Sequence, residues 1–145
     1  MSGEVDAVRA ANRAFYRAFE SLELAQMDAV WAQAGQVTCA HPGWSLADGW
    51  PSVRESWATI FRNTGDIRFD VSDEKIDVRG DLAWVVCVER IVSGGGGGAV
   101  LATNVFRLEA GRWRMVHHHG SQFVPAAPSR PASKPRADAT KKVLN

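Results

Sequence analysis

The sequence predicts an α+β domain in which three N-terminal helices cover one face of an antiparallel meander. Residues 5–61 carry apolar side chains at three- and four-residue spacing, and from Gly65 the texture changes to alternation broken by turns. The length, 145 residues, is that of one domain, large enough to bury a core without disulfides.

The first helix is read over residues 5–24, because Val5, Val8, Asn12, Phe15, Phe19 and Leu22 fall on one face; only Asn12 interrupts the stripe. Met27, Val30 and Trp31 extend the pattern into a short second helix, for which Gly35 supplies a stop. Residues 37–40 read as a short strand, and the Pro- and Gly-bearing stretch from His41 to Gly49 as a loop. Pro51 suits the first turn of a third helix with Val53, Trp57, Ile60 and Phe61 on its apolar face. Two strand pieces, 67–72 and 75–78, come next, then three longer strands at 82–92, 99–109 and 112–124. The glycines at 94–98 and Ala110-Gly111 connect these as hairpins. No helix start or Lys-Ser/Thr follows the glycine run, so it reads as a hairpin tip and not as a phosphate cradle.

Composition excludes several classes. No apolar run approaches the roughly 20 residues that cross a bilayer, and charges occupy the N-terminus where a secretory signal needs an apolar centre. The expectation is a cytoplasmic protein without a membrane partner. The formal charge of +1 is unevenly split: five basic residues against Asp138 give +4 from residue 125 onward, leaving −3 for residues 1–124. A mildly acidic body argues against a nucleic-acid partner. The domain is therefore placed at 1–124, and the Pro-, Ala-, Ser- and Lys-rich stretch 125–145 is expected to be a disordered basic tail. Cys39 and Cys87 lie within apolar strand-like runs and read as buried thiols, a disulfide being unnecessary.

The order of elements, the segment CAHPGW with DGWPSVRESW after it, and the ending ATNVFRLEAGRWRMVHHHGS resemble SnoaL-like proteins of the nuclear-transport-factor-2-like superfamily over residues 5–124. The ending is also similar to the association domain of calcium/calmodulin-dependent kinase II, and the element order to ketosteroid isomerase. This resemblance implies a cone-shaped fold, with the helices on a curved, mostly antiparallel sheet around one pocket. Members include isomerases, polyketide cyclases, dehydratases, epoxide hydrolases and non-catalytic assembly domains, so the fold does not choose an activity. Against the isomerase pattern, His41 stands where the family has the Asp of an Asp-Pro pair, and Asn104 where it has the oxyanion Asp. Phe15 occupies the place of the oxyanion Tyr, with Tyr16 one position, about 100°, further round the helix. The constellation is incomplete, and steroid isomerisation is not expected.

Four polar residues on otherwise apolar elements are the candidate catalytic groups: His41, Glu89, Asn104 and His118. His41 is either a general acid/base at a strand-to-loop junction or a loop histidine bonded to backbone. Asn104 is either a donor to a ligand carbonyl or a satisfied core amide. Glu89 is either a buried acid with a raised pKa or half of a salt bridge. The resemblance turns Glu89 and His118 towards the pocket. His117 and His119 point to the other face and, with no further ligand at a suitable spacing, neither a metal nor another cofactor is expected. Phe15, Tyr16, Trp31, Trp44, Trp57, Phe61 and Cys87 are the expected ligand-binding residues, Trp44 and Trp57 with the stronger claim because they flank the His41 loop. A cavity walled this way suits a small, largely apolar organic molecule. The long strands are apolar on both faces, and a stripe at Trp84, Val86, Val105, Trp113 and Met115 is expected to meet a second copy of the chain as a homodimer.

Overall fold

The computed structural model describes residues 2–92 and 98–123. Helix α1 (Ser2–Ser21) buries Val8, Asn12, Phe15 and Phe19, the face its spacing predicts. It stops earlier than expected, because Leu22 turns left-handed (φ 56°) and Ser21 Oγ donates to the Ala18 carbonyl. Helix α2 (Leu24–Val30) follows, and Trp31 is already extended, bridging to Met115, so the helix ends well before Gly35. After strands β1 (Thr38–Ala40) and β2 (Ala47–Asp48), helix α3 (Trp50–Arg62) starts on Gly49 with Pro51 in its first turn. It buries Val53, Ser56 and Trp57.

The meander consists of β3 (Phe69–Arg79), β4 (Leu82–Ile91), β5 (Gly98–Glu109) and β6 (Arg112–Gln122). The two expected pieces before residue 79 are one strand, bulged between Ser72 and Lys75 where Asp73 takes φ 56°. Among the described residues the sheet runs β2-β1-β6-β5-β4-β3. Its pairings are antiparallel except β1 with β6, which lie parallel with Cys39 beside His118. Strand β6 is thus interior to the sheet, and its histidines sit next to β1 and the loop that follows. Three helices on one face of this mixed, mostly antiparallel sheet give the cone-like α+β architecture.

The core lies between the helices and the face carrying Ala83, Val85 and Cys87, while Leu82 and Trp84 alternate outward. Both cysteines are free and buried. One expectation is overturned on β6. Phe106 pairs with Met115 but Val105 pairs with His117, so Val116 is an extra residue that reverses the alternation along the strand. Met115 is consequently in the core, and Trp113 lies against α1 and α2; neither belongs to the outer stripe. The tip at 93–97 and the tail from 124 lie outside the described residues. No helix among the described residues is long and apolar enough to cross a membrane.

Candidate active site

His41, Glu89, Asn104 and His118 are all buried and face inward. Strand parity explains three of them: Glu89 follows Val85 and Cys87 on the inner face of β4, Asn104 pairs with Val85, and His118 pairs with Asn104. The Val116 bulge keeps His118 on the same side as Met115. His41 comes two residues after Cys39 and so shares its inward direction, just beyond the end of β1.

Three of these groups, His41, Glu89 and His118, form the polar wall of a cavity of about 220 Å³. Its remaining wall is apolar: Phe19, Ile60, Ile67, Phe69, Ile91 and Val100. Pro42 and Trp44 form its rim, which it shares with an outer basin of about 430 Å³ reaching His119 and Gln122. Gly120 lets this rim close, since a Cβ there would come within 2.9 Å of Val100 Cγ1 and 3.5 Å of Pro42. A larger hollow of about 610 Å³, between α1, α2 and the β5–β6 turn, is lined mainly by alanines and contains no carboxylate or histidine. Its size does not make it the site of acid/base chemistry.

Behind the cavity wall runs one connected network. Tyr16 donates to Glu89 Oε2 at 2.5 Å and accepts from Asn104 Nδ2 at 3.2 Å. Asn104 Nδ2 also donates to Asn12 Oδ1 at 2.8 Å, and Asn12 Nδ2 to Glu74 Oε2 at 3.0 Å. His118 Nδ1 lies 2.6 Å from Asn104 Oδ1, and its Nε2 stands 4.0 Å from Glu89 Oε2. His41 Nε2 is 2.9 Å from Ser56 Oγ, which itself donates to the Val53 carbonyl. Burial raises the Glu89 carboxyl to about 7, against the Tyr16 O–H, which favours the ionised form. Burial lowers His41 to about 4. It also pushes His118 well below the usual imidazole range, helped by the neighbouring imidazoles, His41 foremost. Tyr16 is raised by burial and by Glu89, so it stays a donor. Near neutral pH the site therefore holds two neutral imidazoles and a carboxyl close to its midpoint.

The expected residues divide. Asn104 does not touch the cavity: both of its N–H groups are occupied by Asn12 and Tyr16, which places it behind Glu89 and His118 as a satisfied amide. Of the expected ligand-binding residues only Trp44 lies on the cavity wall. Phe15 and Trp57 pack on the His118 ring from behind, at 4.9 and 5.9 Å between centroids. Tyr16 and Cys87 belong to the network, with Tyr16 OH 3.6 Å from Cys87 Sγ. Trp31 packs on Trp50 and Trp57 beside Met115, and Phe61 on Phe19 and Trp57. These aromatics fill the space next to the cavity, since a core of this size needs their volume. Sequence reasoning missed Asn12, Ser56 and Glu74. Asn12 and Ser56 carried a signal, as polar residues on the apolar faces of α1 and α3; Glu74, in the β3 bulge, carried none. Among the described residues no group of three or more His, Cys, Asp or Glu is placed to hold a metal.

Comparison with known proteins agrees with this architecture. A chain described as a candidate dehydratase of the NTF2-like family from Streptomyces avermitilis is 36% identical, with a TM-score of 0.79 over 86% of this chain and 99% of that one. A candidate calcium/calmodulin-dependent protein kinase type II association domain from Thiobacillus denitrificans is also 36% identical, with a TM-score of 0.74 over 80% of this chain and 94% of that one. The F-box protein SKIP8 of Arabidopsis thaliana is 32% identical over 115 residues, 79% of this chain; the chain spans about half (49%) of that relative's length. A ketosteroid isomerase-like protein from Erwinia carotovora atroseptica, at 19% identity and a TM-score of 0.66 over 86% of this chain and all (100%) of that one, shares the fold. The model of the SnoaL-like domain family matches residues 8–126, and with the sheet and the helices this chain belongs to the SnoaL-like family of the NTF2-like superfamily.

Proposed function

We propose that this chain binds a small, largely apolar organic molecule in the 220 Å³ cavity and performs cofactor-free acid/base chemistry on it, with Glu89 and His118 as the acting pair. The observation that carries the reading is the placement of two buried titratable groups, Oε2 and Nε2 4.0 Å apart, on the wall of an otherwise apolar cavity. Burying such groups is costly unless they are used or fully partnered. The cavity is smaller than the roughly 300–1,000 Å³ of drug-sized ligand sites, which favours a ligand of one small ring. Glu89, with its carboxyl near 7, exchanges a proton with the ligand, and His118 Nε2 accepts or returns one. His41, lowered to about 4, is too weak a base to lead and instead borders the ligand.

A screen of small cyclic alcohols, enones and epoxides for dehydration, isomerisation or hydrolysis tests this. Glu89→Gln and His118→Asn are expected to lower turnover by about 10²–10⁴ relative to Lys75→Ala, an exposed control. Unchanged turnover in both, with the fold intact, contradicts the assignment.

A second reading, a homo-association module without catalysis, is favoured by Leu82, Trp84 and Leu101, exposed on the outer sheet face, and by the likeness to the Thiobacillus association domain. Failure of every substrate in the screen, combined with a dimer in solution, would put this reading first.

A further inference from the structure

We infer from the direction of the hydrogen bonds around the cavity that, with Glu89 ionised, the ligand is held through an O–H or N–H donor, because the buried polar groups lining the cavity, Glu89, His118 and His41, then present acceptors. The inference rests on the cavity being the ligand site and names the chemistry it selects.

The direction is fixed from the far end of the network. Glu74, held by Arg9 at 3.4 Å, is a carboxylate and only accepts, so Asn12 must turn its NH₂ towards it and its oxygen towards Asn104. Asn104 therefore gives its NH₂ to Asn12 and to Tyr16 and presents only its oxygen to the imidazole. An oxygen without a hydrogen requires His118 to donate through Nδ1, which leaves Nε2 bare in the neutral ring. Tyr16, already accepting from Asn104, turns its one hydrogen onto Glu89. The same logic holds at the rim. Ser56 uses its single hydrogen on the Val53 carbonyl, so His41 must donate to Ser56 through Nε2, and its Nδ1 is bare.

With Glu89 ionised, every side-chain donor in these two networks is thus engaged within them. The buried polar lining is then His118, His41 and the Glu89 carboxylate, with apolar side chains around them; the one lining donor outside these networks is the indole N–H of Trp44, on a residue 44% exposed at the rim. The two buried indole N–H groups without a partner, on Trp31 and Trp57, belong to residues off the cavity wall. A ketone, ester or ether oxygen at this inner wall then meets acceptors and loses its hydration without replacement there. A hydroxyl or amine places its hydrogen on Nε2 or on the carboxylate and is bound through the hydrogen that acid/base chemistry would move.

The test is a set of four probes of one ring size, 4-fluorophenol, 4-fluoroanisole, 4-fluorobenzaldehyde and fluorobenzene, titrated against the full chain at about pH 8, where Glu89 is ionised, with affinity read by ¹⁹F NMR and location by ¹³C/¹⁵N-resolved NMR of the labelled protein. The expected result is 4-fluorophenol bound about tenfold more tightly than the other three, with protein shifts at His118 and Ile91. In Glu89→Gln, whose amide supplies a donor, the gap between phenol and aldehyde should close to about threefold or less. The wild-type ranking decides even if that variant does not fold. Aldehyde binding as tightly as phenol, or equal binding of all four, overturns the donor requirement while leaving the cavity as a ligand site. Shifts confined to Ala10 and Ala14 in the helix groove also overturn it. No binding of any probe at millimolar concentration contradicts the cavity reading, and the inference falls with it.

Discussion

Glu89 is the residue in which the fold bears most directly on the proposed chemistry. Its carboxyl is raised from the ordinary 4.5 to about 7 by burial, so the folded chain binds this proton more tightly than the unfolded one. Folding stability from this group is accordingly full below pH 4.5 and declines as pH rises towards 7, by about 3 kcal/mol over the interval. The two buried imidazoles act in the opposite sense. His41 falls from 6.5 to about 4, so its neutral burial costs stability as pH drops below 6.5, and His118 does the same. Below pH 6 the histidines oppose Glu89, and above 6.5 Glu89 acts alone. Glu89→Gln should therefore gain stability relative to the wild type by about 3 kcal/mol between pH 5 and pH 8, measured by urea denaturation at both. A difference that does not change with pH would show that Glu89 is not a strained buried acid. At this scale the sequence was informative about which polar groups are buried and silent about what each contacts. A polar residue amid apolar neighbours is visible from parity alone, hence His41, Glu89, Asn104 and His118. Whether such a group faces a cavity or an amide is set by residues far along the chain, here Asn12 and Glu74 for Asn104.

Among the elements, β6 carries the most consequence for the site. Its regular alternation, read from sequence, assigns Trp113 and Met115 to the face of His117, yet one extra residue at Val116 moves both to the helix side. A bulge has no reliable sequence signature in an apolar strand, which is why this part of the outer stripe was illegible while the inward faces of α1, β4 and β5 were read correctly from spacing. The parallel pairing of β1 with β6 was equally hidden, since three residues, Thr38–Ala40, carry too little pattern to choose a neighbour. Next to that pairing, Gly120 holds the Pro42 rim against the sheet. Gly120→Ala should push Val100 and Pro42 apart and cost about 1–3 kcal/mol, read as a lowered Tm, while narrowing the cavity both residues line. An unaltered Tm with unaltered ligand affinity would mean that the rim has slack.

At the scale of the whole molecule, the sheet presents two faces of different kinds. The inner face is covered by helices and holds the candidate site. The outer face leaves Leu82, Trp84 and Leu101 exposed, with Trp84 at 39% opposite Val105 on the neighbouring strand. Self-association through this face is expected from light scattering as a dimer at tens of micromolar, and Trp84→Glu should shift it to monomer by placing a charge where apolar surface is buried. A wild-type monomer at that concentration would remove the association reading and leave the cavity as the functional feature. The cavity itself is tested most directly by a crystal structure of the full chain grown with cyclohexanol, a hydroxylated ring without a fluorine label. The account predicts density inside the 220 Å³ cavity, its oxygen within hydrogen-bond reach of Glu89 or His118 Nε2. Density only in the 610 Å³ helix groove, or an empty cavity at saturating cyclohexanol, would contradict it.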